Sequence, residues 1–301
     1  MLEREIITHS KCYDNAPPEL YEKLMNFRKE FKIKYFIYEG KTVEYIATEK
    51  GSQTLLMFHG ALGSADTPWS EILRLKDRFR IIVPTIRDFN TLKFTSKVIN
   101  EILQKENVEQ VFVRGGSFGA YIAQSFFKEH YKKIKKMILV NGIPSKGEYT
   151  KKDMRFVRLF KFLLKIIPEK LAKRIILRDL NKLTGNDETE LTEDQQNEIY
   201  FLKMQVKERM AKIRKRHILE SLSLVVEFDL EYQMNSENFE DWKGEILLIT
   251  DTKDSSYKYF DTLVAQFPNP KIKIFENAGH LLQLLYKNEF EKSNDNFLMS
   301  S

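Results

Sequence analysis

The stretch Val111–Ala120 constrains the fold of this chain more than any other. It consists of a β-rich run, then Gly-Gly-Ser-Phe-Gly centred on Ser117, and then a helical pattern. A strand, a sharp turn and a helix around G-x-S-x-G are typical of a nucleophile elbow, in which the serine Oγ stands clear of the backbone. Such a turn crowds strand against helix and so requires small residues at Gly115 and Gly119. The alternative is a glycine-rich turn with a passive serine.

Strand and helix patterns alternate on either side of this stretch. Two β-rich runs, 31–38 and 42–48, flank Gly40 and predict a β-hairpin. Helical patterns separate the other predicted strands, and residues 1–30 predict a helical lead-in. The alternation predicts an α/β protein with a doubly wound, mostly parallel sheet and an antiparallel hairpin at its leading edge. The other predicted strands are short apolar runs at 54–58, 80–83, 111–113, 137–140, 245–250 and 271–275.

The alternation is interrupted once, between residues 145 and 235. Several helical patterns follow one another there, without a convincing strand. We predict that residues 145–235 form an inserted helical cap, with a polar hinge at 185–187, and that 1–144 and 236–301 form the core. Open α/β folds bind ligands at the C-terminal edge of the sheet, and the cap is expected to cover that edge.

Large apolar and basic residues alternate in the first half of the predicted cap. The apolar side chains, including Phe156, Phe160, Phe162 and Leu163, either line an acyl pocket or, as we prefer, pack the cap onto the core. A basic amphipathic helix can also lie on an anionic membrane surface, but most such stripes are the solvated face of a packed helix. Membrane contact is therefore not the preferred interpretation. The basic residues are Lys151, Lys152, Arg155, Arg158, Lys161, Lys165, Lys170, Lys173, Arg174 and Arg178.

The composition excludes several classes of protein. The net charge of +6 arises from 49 basic and 43 acidic residues, and no recognisable nucleic-acid module accompanies it, so we predict no nucleic-acid partner. Cys12 is the only cysteine, which excludes an intramolecular disulfide and a cysteine-based metal site. The first ten residues lack the apolar core of a signal peptide, and no apolar run approaches the ~20 residues of a membrane span. We expect a soluble, cytoplasmic protein.

Three further motifs follow predicted strands. His59-Gly60-Ala61 follows the 54–58 strand. The backbone amides of Ala61 and Phe118 are the expected donors to an oxyanion, a stabilisation of roughly 3–4 kcal/mol per donor. His59 itself is expected to hold its loop by hydrogen bonds rather than to titrate in catalysis.

The other two motifs supply an acid and a base. Two aspartates follow the 245–250 strand, and we prefer Asp254, which lies further into the loop, as the acid that orients a histidine. Asp251 lies directly after the strand, where aspartate usually shapes the turn. His280 follows the last strand and a small, flexible Ala-Gly dipeptide, which lets it reach Ser117 as general base.

The chain order Ser117, Asp254, His280 is that of the α/β-hydrolase superfamily, which the chain resembles from about Phe31 to its end. The resemblance implies the α/β-hydrolase fold and a serine esterase that cleaves a carboxylic ester or thioester through an acyl-enzyme intermediate. It implies a small-molecule ester or acyl substrate, no cofactor and no metal.

A weaker resemblance gives the alternative function. The stretch from 63–66 through Gly119 is similar to the maspardin branch, whose members are regarded as binding proteins. The alternative is therefore a non-catalytic protein that uses the same fold for binding. Members of that branch lack a histidine at the position matching His280, which favours catalysis here.

The chain also departs from many relatives of the superfamily in the residue before the nucleophile. Many of them carry a larger side chain there, whereas this chain has Gly116. We therefore expect a wider pocket on that side of Ser117.

Overall fold

A single nine-stranded sheet organises the protein. The computed structural model describes residues 2–145, 150–183, 191–232 and 234–300. Within these ranges the strand order is β1-β2-β3-β5-β4-β6-β7-β8-β9. The strands are β1 Leu2–Arg4, β2 Ile33–Tyr38, β3 Lys41–Ala47, β4 Gln53–Phe58, β5 Phe79–Pro84, β6 Val111–Gly116, β7 Ile134–Val140, β8 Glu245–Asp251 and β9 Lys271–Phe275.

Helices connect most of these strands. The helices are α1 Pro18–Glu30, α2 Trp69–Leu75, α3 Leu92–Lys105, α4 Phe118–His130, α5 Thr150–Ile166, α6 Glu169–Leu183, α7 Glu193–Lys212, α8 Lys215–Glu231, α9 Phe260–Ala265, α10 Leu282–Leu285 and α11 Lys287–Met299. No helix in the described ranges combines the length and the apolar content that a membrane span requires.

The predicted doubly wound, mostly parallel sheet is confirmed. The strands from β5 to β9 pair in parallel, while β2 and β3 form the predicted antiparallel hairpin on the leading edge. Along β4, Leu56 and Phe58 pack into the apolar core on one face of the sheet, and Leu55 and Met57 into the core on the other. Because both faces of the sheet are covered by apolar cores, successive positions from Leu55 to Phe58 require apolar side chains.

The strand order reverses beside β4. Strand β5 follows β4 in sequence and lies on one side of it, whereas β6 lies on the other side. Such a reversal opens a crevice outside the carboxyl ends of the two strands, where open α/β folds bind their ligands. The loops that follow β4 and β6 begin at His59 and Ser117, so both predicted motifs lie at this crevice.

The helices α5 to α8 lie between β7 and β8, the range predicted as a cap. Helix α8 packs against α5 and also against the core helices α3 and α4. The ring centroids of Phe228 on α8 and Tyr121 on α4 are 4.9 Å apart, and both side chains are buried. Helix α8 therefore attaches α5 to the core. The predicted hinge at 185–187 lies outside the described residues.

The prediction for the amino terminus is partly wrong. Helix α1 begins at Pro18, as the helical lead-in predicts, but residues 2–4 form β1 and residues 10–13 a single 3₁₀ turn. Strand β1 is the edge strand and pairs with β2 through only three residues, all of them exposed. An exposed strand of this length has no apolar alternation, which is the pattern that reveals strands in a sequence.

Candidate active site

Ser117 occupies a strained turn between β6 and α4. Its backbone has φ 53° and ψ −121°, a conformation that side chains rarely adopt, and its amide donates to Val140 O at 2.9 Å. A Cβ added at Gly115 would lie 2.2 Å from Gly119 O, and one added at Gly119 would lie 2.4 Å from Phe58 O. The predicted need for glycine at these two positions is therefore confirmed, because any side chain there would collide with backbone.

Asp254 and His280 are brought together from two loops 26 residues apart in sequence. His280 Nδ1 lies 2.7 Å from Asp254 Oδ2, and Asp254 Oδ1 accepts from the Ser256 amide at 2.7 Å. Burial opposes ionisation of this carboxyl, but the hydrogen bonds and charge of His280 lower its pKa below the ordinary value. An ionised Asp254 fixes the tautomer in which His280 Nε2 is free to accept a proton.

Asp251, in the same region, accepts hydrogen bonds from backbone amides rather than from His280. Its Oδ1 accepts from the amides of Lys253 and Gly279, both at 2.8 Å, and its Oδ2 accepts from the Ala278 amide at 2.9 Å. These bonds fasten the end of β8 to the loop that carries His280. The sequence favoured Asp254 over Asp251 as the partner of His280. In the structure Asp254 lies against the ring, and Asp251 accepts from the loop that carries it.

Ser117 and His280 are both partly exposed. No hydrogen bond joins their side chains within the described part of the chain. In proteins without a bound substrate, catalytic hydrogen bonds are often long and shorten in the complex.

The loop after β4 is held by His59, which is 4% exposed. His59 Nε2 accepts from the Ile86 amide at 3.0 Å, and Nδ1 lies 2.8 Å from Gly60 O. Burial lowers the pKa of His59 to about 4, so the ring is neutral at pH 7. These contacts agree with the predicted loop-holding role. They also explain Gly63, where an added Cβ would lie 2.6 Å from His59 Nδ1.

The two amides predicted as oxyanion donors lie on the two loops of the crevice. Ala61 is exposed at the tip of a turn closed by the Gly63 amide and Gly60 O at 3.1 Å. Phe118 is the first residue of α4, where a helix has no acceptor of its own for the backbone amide.

The expectation of a wider pocket beside Gly116 is wrong. A Cβ at Gly116 would lie 3.3 Å from Gln283 Nε2 and 3.6 Å from Val140 Cβ. The Gln283 amide is held there by Arg114, whose guanidinium donates to Gln283 Oε1 at 2.8 Å and also pairs with Glu71. The glycine therefore leaves room for Gln283, an exposed side chain of α10.

A buried ion-pair cluster behind the β4 loop was not predicted from the sequence. Arg28 on α1 donates to both carboxylate oxygens of Glu208 on α7, at 2.9 and 2.7 Å, and to Asp66 Oδ2 at 3.1 Å. Tyr13 OH and the His9 amide also donate to Glu208, at 2.8 and 2.9 Å. Because Asp66 follows the Ala61 turn by a few residues, the cluster connects α1, α7 and the loop after β4.

Only one weak signal could have suggested this cluster. Glu208 follows Phe201 by seven residues and Met204 by four, so it lies on the buried face of α7. A carboxylate on such a face requires a buried partner. Its partner, Arg28, is 180 residues away in the sequence, and no local pattern connects the two.

No group of three His, Cys, Asp or Glu side chains in the described ranges is arranged to hold a metal ion.

Comparisons with known proteins agree with this architecture. A family model described as "alpha/beta hydrolase fold" matches residues 53–285. The carboxylesterase CesB from Bacillus subtilis superposes with a TM-score of 0.68 at 15% identity, covering 94% of this chain and 98% of its own. MenH from S. aureus superposes with a TM-score of 0.66 at 18% identity, covering 85% of this chain and 97% of its own. A thermophilic esterase from Thermogutta terrifontis superposes with a TM-score of 0.65 at 15% identity, covering 88% of this chain and 96% of its own. No curated protein matches the sequence.

Proposed function

Because the chain belongs to the alpha/beta hydrolase fold family, we propose that it is a serine hydrolase that cleaves a carboxylic ester or thioester. The observation that carries the proposal is the 2.7 Å contact between His280 Nδ1 and Asp254 Oδ2, at the same sheet edge as the strained Ser117. Esterases and other hydrolases among the structural neighbours support the same class of reaction.

In the proposed first half-reaction, Ser117 Oγ attacks the acyl carbonyl while His280 Nε2 takes the hydroxyl proton. The amides of Ala61 and Phe118 stabilise the oxyanion that forms. His280 then returns the proton to the leaving alcohol or thiol as the carbon–oxygen or carbon–sulfur bond breaks. Asp254 holds the ring in position and stabilises its charged form throughout.

In the second half-reaction, water attacks the acyl-enzyme ester. His280 takes a proton from that water and returns it to Ser117 as the acid is released. No step of this mechanism uses a cofactor or a metal. We also propose that the helices α5 to α8 act as the predicted cap over this edge of the sheet.

Labelling with a fluorophosphonate probe and turnover of p-nitrophenyl esters of graded chain length test the proposal. We expect the native chain to show both, and Ser117→Ala to lose at least about 10³-fold in kcat, because the nucleophile and its base act as a unit. Ser70→Ala, on the exposed surface of α2, is the matched control and should retain full activity. Absence of labelling and turnover in folded native protein would instead support the alternative, a non-catalytic binding protein.

A further inference from the structure

The outer face of α5 exposes a row of large apolar side chains. Phe156, Leu159, Leu163 and Ile166 follow the i, i+3, i+7, i+10 spacing that places residues on one helical face. Their exposed fractions are 69, 57, 44 and 66%, and the adjacent Phe162 is 59% exposed. We call these five residues the outer stripe. A contiguous apolar surface of this kind more often belongs to an interaction site than to a face that stays in solvent.

The opposite face of α5 is already packed. Leu164 is 1% exposed and lies in an apolar cluster with Met210 and Ile218 from α7 and α8. Phe160 and Leu62, the latter from the loop after β4, pack against the same cluster. The outer stripe is therefore not part of the core that holds α5 in place. This result contradicts our preferred interpretation of Phe156, Phe162 and Leu163 as packing residues.

The charges around the outer stripe are almost all positive. Arg155, Arg158 and Lys165 are exposed on the same side of α5, and no carboxylate in the described ranges pairs with them. The only acidic residue of α5 is Asp153, and Lys258 donates to its Oδ2 at 2.8 Å. An apolar row with free cations beside it is complementary to an acyl-chain surface topped by anionic headgroups.

We propose that the outer stripe of α5 docks on a membrane surface that contains anionic lipid. The apolar side chains enter the boundary between headgroups and acyl chains, while Arg155, Arg158 and Lys165 contact lipid phosphates. A second copy of the chain is a poorer occupant, because pairing two outer stripes would bring these cations together. Docking goes beyond the proposed reaction and does not depend on it.

The placement of α5 gives docking a consequence for the candidate site. The inner side of the helix contacts the cluster that includes Leu62, one residue after Ala61. A membrane held by the outer stripe would therefore lie about one helix diameter, ~10 Å, from the loop after β4.

Co-sedimentation with vesicles of diether lipids tests the proposal without interference from hydrolysis, since these lipids have no ester bond to cleave. At low salt we expect the native chain to bind vesicles that contain diether phosphatidylglycerol and to bind pure diether phosphatidylcholine far more weakly. High salt should weaken the binding, because headgroup attraction is screened.

Two double variants separate the apolar and the charged contributions. Phe156→Ser with Ile166→Ser should weaken binding by about a hundredfold, because two large side chains no longer enter the lipid. Arg158→Glu with Lys165→Glu should weaken it by at least about thirtyfold. The matched control is Ile37→Ser with Lys93→Glu, both exposed and distant in sequence, and it should bind within about twofold of the native chain.

Melting temperatures and the turnover of a short, water-soluble ester establish that the variants are folded, and both should be unchanged. Absence of binding to anionic vesicles at low salt would overturn the proposal. So would equal binding by all three variants. A dimer that the Phe156 and Ile166 changes dissociate, in a chain that does not bind vesicles, would assign the stripe to a second copy and would also overturn it.

Discussion

Replacing Glu208 with glutamine removes the charge at the centre of the buried cluster. Burial alone would raise the pKa of this carboxyl, but Arg28 lowers it to about 2 from an ordinary 4.5. The side chains of Arg28 and Glu208 are 7% and 1% exposed, so the pair is screened little by water. Removing one partner of such a pair costs about 3–5 kcal/mol. We expect the lower end, about 3 kcal/mol, because Asp66 still faces Arg28 at 3.1 Å.

The expected loss can be measured by urea unfolding and by melting. With an unfolding entropy of about 2.1 cal/mol/K per residue, a loss of 3 kcal/mol lowers the melting temperature of a chain of this length by roughly 5 °C. The destabilisation by Glu208→Gln should be complete above pH 4.5 and should shrink as the pH falls toward 2. The destabilisation shrinks at low pH because a lowered pKa stabilises the folded state only where the carboxyl of the unfolded chain would be ionised.

The matched control is Glu19→Gln, which breaks the exposed pair of Glu19 with Lys23. An exposed pair contributes at most about 1 kcal/mol, so the control should melt close to the native temperature. Equal stabilities for Glu208→Gln and the control at pH 7 would refute the reasoning, since burial would then have no effect on the strength of the pair.

Three further predictions concern the site. Asp254→Asn should lower kcat by about 10⁴-fold and change the melting temperature little. Asp251→Asn should mainly lower the melting temperature, so measuring kcat and the melting temperature of both variants distinguishes their roles. Gly119→Ala should lower the free energy of unfolding by about 3 kcal/mol in urea, because the new Cβ would lie 2.4 Å from the backbone oxygen of Phe58. In the control Gly142→Ala, the new Cβ would lie 3.3 Å from a methyl group of Leu263, and the loss should not exceed about 1 kcal/mol. Burial lowers the pKa of His59 to about 4, so the neutral ring contributes fully to stability above pH 6.5. This contribution falls by about 3 kcal/mol as the pH is lowered toward 4. Urea unfolding of His59→Gln at both pH values should lack this part of the pH dependence.

The sequence predicts those features that leave a local pattern. Strands buried on both faces, such as β4, are compact apolar runs, and the glycines around Ser117 are fixed by contacts within one strand–turn–helix unit. Asp254 and His280 were found because each follows a predicted strand at the same edge of the sheet. In these cases the fold is decided by residues that are near one another in the chain.

The features that escaped prediction depend on distant residues. Gly116 borders Gln283, and whether a glycine widens a pocket depends on what the rest of the chain puts beside it. The exposure of Phe156 and Phe162 could not be predicted either, because spacing places apolar residues on one helical face without indicating whether another element covers that face.

The buried cluster also bears on where a fragment of this protein can be cut. The family pattern begins at residue 53, but Tyr13 and Arg28, which hold Glu208, precede it, as does β3, which pairs with β5. A fragment limited to residues 53–285 would keep Glu208 without Arg28 and Tyr13 and would leave one edge of β5 unpaired. We therefore expect the smallest unit of this chain that folds independently to start well before residue 53, where the match to the family model begins.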